Sequence, residues 1–216
     1  MTDAPAITAR TEALFRSSGA LRDGHFLLKS GRHGDRYLEK FQVLQYPEAV
    51  TELCGFMADM VRDTDGRPTV DVVVGPTTGG VILAFEVARQ LGVRGIFAEE
   101  MRDADGATHR EFRRGFTIAA GERVFLVDDI LTTGGSLVAM LPAIESTGGE
   151  LVLSSVIADR SGGLRKTVSP SSGRSYPVES LWVLDVPTYD AGTATCPACA
   201  AALPLVAPGS TGAKPA

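Results

Sequence analysis

The chain is poor in the features that commit a protein to several large classes. It has 3 cysteines in 216 residues, too few for a disulfide framework. No apolar run approaches the length of a membrane span. The first residues, MTDAPAITARTEALF, carry an early acid and no apolar stretch of the signal-peptide kind. The expected compartment is therefore the cytoplasm. Positive charge is not in excess: Lys+Arg 21 against Asp+Glu 26 leaves a formal net charge of −5. That balance, with no basic stripe interleaved with aromatics, argues against nucleic acid or an anionic membrane as partner. Nor is there a G-x-x-x-x-G-K-[ST] phosphate loop or a G-x-G-x-x-G dinucleotide fingerprint. What remains is a chain with 44% hydrophobic and 22% charged residues, of a length that suits one α/β domain.

The hydrophobic pattern alternates between two periods. Residues 4–17 read as an amphipathic helix with Ile7, Ala13, Leu14 and Phe15 on one face. Two extended runs, 26–28 and 36–44, flank a polar turn at 30–35. Val50, Leu53, Cys54, Met57 and Val61 recur at helical spacing over 48–62, which makes Cys54 a core residue. Continuous apolar runs at 70–74 and 123–127 read as strands buried on both faces. Helices follow at 81–91, stopped by Gly92, and at 137–146. Further strands are expected at 94–98, 116–118, 150–158 and 181–186. The charged stretch 99–114 has no clear period and reads as a long mobile loop. The segment SPSSGRSYP is a turn-rich connection, and the chain from about Ala207 reads as a fraying end. Strand–helix alternation implies a parallel sheet flanked by helices, with ligands bound beyond the carboxyl ends of its strands.

The strongest motif is ERVFLVDDILTTGGS, 122–136. A buried strand ends in Asp128 and Asp129; Ile130 and Leu131 follow, then Thr132, Thr133, Gly134, Gly135 and Ser136 lead into a helix. Small residues let backbone N–H groups converge on an anion, the hydroxyls add donors, and the helix start adds partial positive charge. This is a pocket for a phosphate monoester. Two acids would repel the phosphate, so they serve another part of the ligand. A carboxylate pair suits a sugar diol, with Mg²⁺ held through water. The ligand implied is a ribose 5-phosphate unit.

VFLVDDILTTGGS resembles the phosphoribosyl diphosphate (PRPP) signature of type I phosphoribosyltransferases. LLKSGRHGDRYLE, VVVGPTTGGVILAFEVARQLG, ADRSGG and the tail YDAGTATCPACAAALPLVAPGS are similar to segments of the orotate phosphoribosyltransferases, in the same order. The resemblance implies an α/β fold with a parallel sheet flanked by helices and a small N-terminal hood. The helix and hood would span about 1–45, the core 46–190 and the tail 191–216, as one domain. It implies transfer of ribose 5-phosphate from PRPP to orotate, with Mg²⁺, by a homodimer. On this resemblance Asp128 to Ser136 bind PRPP, and Thr77, Thr78 and Gly79 of GPTTGG receive the diphosphate. Thr132 also touches orotate, Arg160 pairs with its carboxylate, and Lys29 contacts the substrates from the hood.

The chain departs from the family in two places. Many members carry a mobile loop with several Lys and one His, where this chain has AEEMRDADGATHREFRRGF, without Lys. Arg102, His109 and Arg110 are its candidate lid cations, and Arg113 and Arg114 are open to a structural role. GPTTGG also has Gly where many members place Lys. His25 and His33 are expected at the surface near the hood turn. Cys196 and Cys199 form one C-x-x-C pair, a candidate for zinc if a second copy supplies another pair; a redox pair or two ordinary thiols stay equally open. A purine-base transferase and a PRPP-binding regulator without turnover are the rival readings.

Overall fold

The computed structural model describes residues 3–28, 30–169 and 173–208. Lys29, part of the SPSSGRSYP connection and the end of the tail lie outside them. The chain opens with α1 (Ala4–Ser17), where the Asp3 carboxylate accepts from the Ala6 N–H at 2.9 Å and Pro5 sits in the first turn. Its buried face is Thr11, Leu14 and Phe15, with Ile7 packed nearby; Ala13, expected there, is exposed. Gly19, at φ 72°, ends the helix region and lets the chain turn into β1 (Leu21–Leu27). The hood hairpin closes with β2 (His33–Leu38). The second extended run thus ends earlier than its apolar residues imply. Phe41–Leu44 instead forms a short helix, α2, that buries Val43 and Leu44. Next comes α3 (Pro47–Asp59), with Leu53, Cys54 and Met57 fully buried.

The core unit alternates as expected. It runs β3 (Val72–Pro76), α4 (Gly79–Leu91), β4 (Arg94–Arg102), β5 (Thr108–Phe112), β6 (Arg123–Leu131), α5 (Gly135–Glu145), β7 (Glu150–Asp159), β8 (Thr167–Val168) and β9 (Tyr176–Val183). Gly92 takes φ 71° and stops α4. β10 (Thr188–Tyr189) and α6 (Pro197–Ala200) complete the described chain. Seven strands form one sheet in the order β5-β4-β3-β6-β7-β9-β8. The inner five are parallel, and β5 and β8 pair antiparallel at the edges. Two hydrophobic clusters cover the two faces. One packs α1, α3 and α4 on the sheet around Phe15, Leu53, Leu83 and Phe125; the other packs α5 around Leu126, Met140 and Ile144. The hood is a separate three-stranded sheet, β1-β2-β10.

Three strand expectations are corrected. The last core strand starts at Tyr176, not 181. Residues 116–118 form no strand; Phe116 and Ile118 pack into the second cluster, with the Phe116 ring 5.1 Å from that of Phe97. The stretch 99–114, which reads as a mobile loop, is largely the β4–β5 hairpin, paired from Ala98↔Phe112 to Arg102↔Thr108.

Candidate active site

The carboxyl ends of β3, β6 and β7 lie on one edge of the parallel sheet, and each carries a candidate segment. The acids were expected at the mouth of a loop, where the strand gives out. Instead β6 continues to Leu131 because β7 pairs with it to Leu131↔Asp159. Asp128 and Asp129 are therefore buried, 5% and 3% exposed. Successive strand residues face opposite sides, and the acids have different neighbours. Burial first, and the neighbouring Asp129 charge second, push the Asp128 carboxyl up to about 6, against the pull of the Ser136 hydroxyl and the Asp129 N–H. Asp129 instead meets a cation. Lys40 Nζ lies 2.8 Å from its Oδ1 and 2.7 Å from its Oδ2, and Oδ1 accepts the Ile130 N–H at 2.7 Å.

The phosphate-loop residues differ in what they expose. Leu131 is buried in the second core cluster and Ile130 packs partly buried against the first. Thr132, Thr133, Gly135 and Ser136 are exposed, and Gly134 takes φ 82° at the start of α5. The N-cap residue, Gly134, has no side chain to cap that helix, and among the first-turn N–H groups the Gly135 N–H makes a long contact, 3.4 Å, to Thr133 Oγ1. Exposed hydroxyls around a helix start whose N-cap is a glycine form an anion cradle.

The GPTTGG loop is fitted to the acids at close quarters. A Cβ on Gly79 would lie 1.8 Å from Asp129 Oδ2, and one on Gly75 would lie 2.2 Å from the Gly80 carbonyl oxygen. No side chain fits at either position. The Thr77–Thr78 peptide is cis. The Thr77 N–H donates to Ala98 O at 3.1 Å, which ties the loop to β4. Of the hairpin cations, Arg110 reaches this loop: its Nη1 donates to Thr77 Oγ1 at 2.9 Å, and its Nη2 lies 3.4 Å from Glu100. Arg102 and His109 are exposed, with His109 Nδ1 3.3 Å from Asp103. Arg114 pairs with Glu99 at 2.6 Å, and Arg113 donates to Met101 Sδ, which are contacts within the hairpin region. A cleft of about 310 Å³ separates the hairpin from the start of α5, lined by Glu100, His109, Arg110 and Ser136 among others.

Arg160 follows β7 directly. Its backbone N–H donates to Leu131 O at 2.7 Å, so the residue is fixed beside the phosphate loop. Among the described residues no carboxylate pairs with its guanidinium, and its buried Nε has no hydrogen-bond partner. Tyr37 of β2 is close enough for the two groups to shift each other's acidity. The hood thus faces the site through Tyr37 and Lys40. Neither was singled out from the sequence, because Lys40 lies 89 positions from Asp129 and nothing local links them. His25 and His33, expected at the surface, are both buried.

Comparison with known proteins agrees with this geometry. The model of the phosphoribosyl transferase domain matches residues 42–182. An orotate phosphoribosyltransferase of Caldicellulosiruptor saccharolyticus is 40% identical over 201 residues, 93% of this chain and 96% of that protein. The orotate phosphoribosyltransferase of Acidithiobacillus ferrooxidans is 42% identical over 200 residues, 93% of this chain and 95% of that protein. Among solved structures, the orotate phosphoribosyltransferase of Aeropyrum pernix aligns with TM-score 0.62 at 23% identity, over 80% of this chain and 92% of that one. An adenine phosphoribosyltransferase of Saccharomyces cerevisiae aligns with TM-score 0.60 at 20% identity, over 80% of this chain and 98% of that one. At such identities the structural likeness is one of fold.

Proposed function

The chain belongs to the phosphoribosyltransferase family, and from that premise we propose that it transfers ribose 5-phosphate from PRPP to N1 of orotate. The bond from the anomeric carbon to diphosphate breaks, a bond to N1 forms, and diphosphate leaves. The observation that carries this reading is the pairing of two features on one sheet edge. The β6 acids run into a helix start whose N-cap is a glycine, and Arg160, whose guanidinium has no carboxylate partner among the described residues, stands beside them.

Each residue has a task that its chemistry supports. The N–H groups and hydroxyls of Thr132 to Ser136 hold the 5-phosphate at the start of α5. Asp128 and Asp129 accept from the ribose hydroxyls, with Asp129 oriented by Lys40. The Thr77–Gly79 backbone and Arg110 take the diphosphate end. Arg160 grips the orotate carboxylate and Thr132 contacts the ring; Lys29, outside the described residues, is assigned to the substrates by the family resemblance alone. As diphosphate departs, positive charge grows on the anomeric carbon, and the buried carboxylates stabilise it in a low-dielectric setting. Orotate N1 reacts as an anion and needs little base catalysis, so the protein contributes mainly orientation and charge. The β4–β5 hairpin covers the diphosphate side and limits access of water.

Two carboxylates are too few for an all-protein Mg²⁺ cage, and Lys40 already occupies Asp129. The donor set fits an ion that substrate oxygens and water would chiefly hold, with Asp128 free to accept from its bound water. When bound, Mg²⁺ supplies neutralisation of the leaving diphosphate.

The test is turnover of PRPP with orotate, uracil, adenine and guanine in the presence of Mg²⁺. Orotate is expected to exceed uracil by roughly 10³-fold or more, because uracil leaves Arg160 unpaired. Arg110→Ala in the same assay is expected to raise the KM for PRPP and leave that for orotate unchanged. Preference for adenine would transfer the chain to the purine-base reading.

An exposed apolar surface supports the reading of a homodimer. Phe85 is 68% exposed on α4 and, with Ile82, Leu44, Pro47 and Val50, lines an apolar groove of about 420 Å³. Such a patch fits a second copy of the same chain. Phe85→Asp is expected to convert the dimer to monomer in sedimentation velocity; an unchanged sedimentation coefficient would place the interface elsewhere. No helix among the described residues is long and apolar enough to cross a membrane. The free thiols of Cys54, Cys196 and Cys199 suit the reducing cytoplasm.

A further inference from the structure

Cys196 and Cys199 stand at the start of α6 with too few ligands, by sequence, for a closed metal site. The fold brings the missing ones. His25 of β1 and His33 of β2 turn ring nitrogens onto the two thiols, and these four atoms all lie within 4.8 Å of one another. His25 Nε2 is 3.6 Å from Cys196 Sγ and 3.6 Å from Cys199 Sγ, while His33 Nδ1 is 3.3 Å from Cys199 Sγ. The two ring nitrogens are 2.7 Å apart.

These distances can be set against a tetrahedron. Zn–S bonds of about 2.3 Å and Zn–N bonds of about 2.0–2.1 Å give S···N edges of roughly 3.5 Å and an N···N edge of roughly 3.3 Å. The three sulfur–nitrogen distances already lie on that edge. The nitrogen pair is at hydrogen-bond length, as two imidazoles sharing one proton would be, and needs to open by only about 0.6 Å when a cation replaces the proton. The orientation of His25 is set from outside the cluster. Its Nδ1 lies 2.9 Å from the Leu203 carbonyl, so Nδ1–H donates there and Nε2 is left as the lone-pair nitrogen facing the thiols. Packing alone gives no reason to bury two imidazoles and a thiol pair against one another where apolar side chains would fit without polar atoms to satisfy.

We propose that His25, His33, Cys196 and Cys199 bind one structural zinc ion, which staples the C-terminal tail to the hood. All four ligands come from one chain, so no second copy is required. Four protein ligands leave no open position, which makes the site structural rather than catalytic. Its placement has a consequence for the hood. The two histidines sit on the strands flanking the hood turn, and the tail beyond α6 pairs with the same hairpin: the Leu27 N–H donates to Val206 O, and the Val206 N–H to His25 O, each at 2.8 Å. The ion therefore fixes both feet of the turn and the tail that braces it.

The experiment uses the untagged full chain, purified under reducing conditions. Zinc measured by mass spectrometry is expected at about one ion per chain. Exchange for Co²⁺ is expected to give the visible bands and near-ultraviolet thiolate charge transfer of a tetrahedral site. His25→Ala and Cys199→Ser are each expected to cut bound zinc at least about tenfold, while His109→Ala on the hairpin keeps it. One ion per two chains, with zinc retained in His25→Ala, would overturn the assignment in favour of a site between copies. A wild-type chain that gives no thiolate-to-cobalt band would overturn it without any variant needing to fold.

Discussion

Asp128→Asn is expected to lower turnover by about 10²- to 10³-fold and at the same time to stabilise the protein. Both effects come from burial. The Asp128 carboxyl is pushed up to about 6, because a charge is held out of water beside a second acid. Above pH 6 the group is ionised in folded and unfolded chains alike, and the folded state carries the cost of the buried charge. As pH falls through 6 the folded chain takes up the proton first. The cost then fades, and it is gone below the unfolded value near 4. The rise from near 4 to about 6 sets an upper bound of roughly 3 kcal/mol on that cost at neutral pH. Asn keeps an oxygen that can accept the Asp129 N–H but carries no charge, so a gain of about 1–3 kcal/mol in unfolding free energy is expected. In the wild type, kcat/KM for PRPP is expected to fall as pH drops below about 6, and Asp128→Asn removes this acidic limb. Thermal denaturation and steady-state kinetics across pH 5–8 read both quantities. A variant that is less stable, or turns over normally, would show that Asp128 is a structural acid. Asp129 is unsuited to the same test, because its removal strands Lys40 and destabilises for a different reason.

The parts of the molecule legible in the sequence are those set by local rules. The apolar runs that became β3 and β6 are buried on both faces, and α3 and α4 show helical spacing down to the Gly92 stop. The phosphate loop was legible because its chemistry is contiguous: small residues, hydroxyls and a helix start within a few positions. The β4–β5 hairpin was not. One face of β5 meets water and the other half-buries Arg110 and Phe112, so a charged residue stands where an apolar one would mark the strand, and the run reads as a loop. The end of β6 was missed for the opposite reason, since two buried acids do not look like strand interior until β7 is known to pair with them. Tertiary pairs were invisible in principle. Nothing near Lys40 points to Asp129, and nothing near His25 points to cysteines 171 and 174 positions away. Acids, cations and imidazoles at such positions carry their meaning only once the sheet brings them together.

Arg160→Ala is expected to weaken use of orotate by about 2–4 kcal/mol, or roughly 30- to 10³-fold in kcat/KM, with little change in PRPP binding. Orotate differs from uracil by a ring carboxylate, and a protein selecting it must meet that group with cation or N–H donors. Arg160 is placed for this by its backbone, whose N–H is fixed to Leu131 O at the end of the phosphate-loop strand. Its guanidinium has no carboxylate partner among the described residues, and the buried Nε has no acceptor. A buried donor without a partner is a cost the free protein carries, and a planar carboxylate relieves it through two parallel hydrogen bonds. Arg160→Lys keeps the charge but loses the fork, so only part of the orotate affinity is expected to return. The backbone bond to Leu131 survives in both variants, and no ion pair is broken, so unfolding temperature is expected to hold or rise. That combination separates recognition from a structural role, which would lower stability and both substrate affinities together. Orotate kcat/KM, PRPP affinity by equilibrium titration, and thermal midpoint are measured on the same preparations. Intact orotate turnover in Arg160→Ala would mean that the carboxylate is held elsewhere, with the Tyr37 side of the hood as the next place to look.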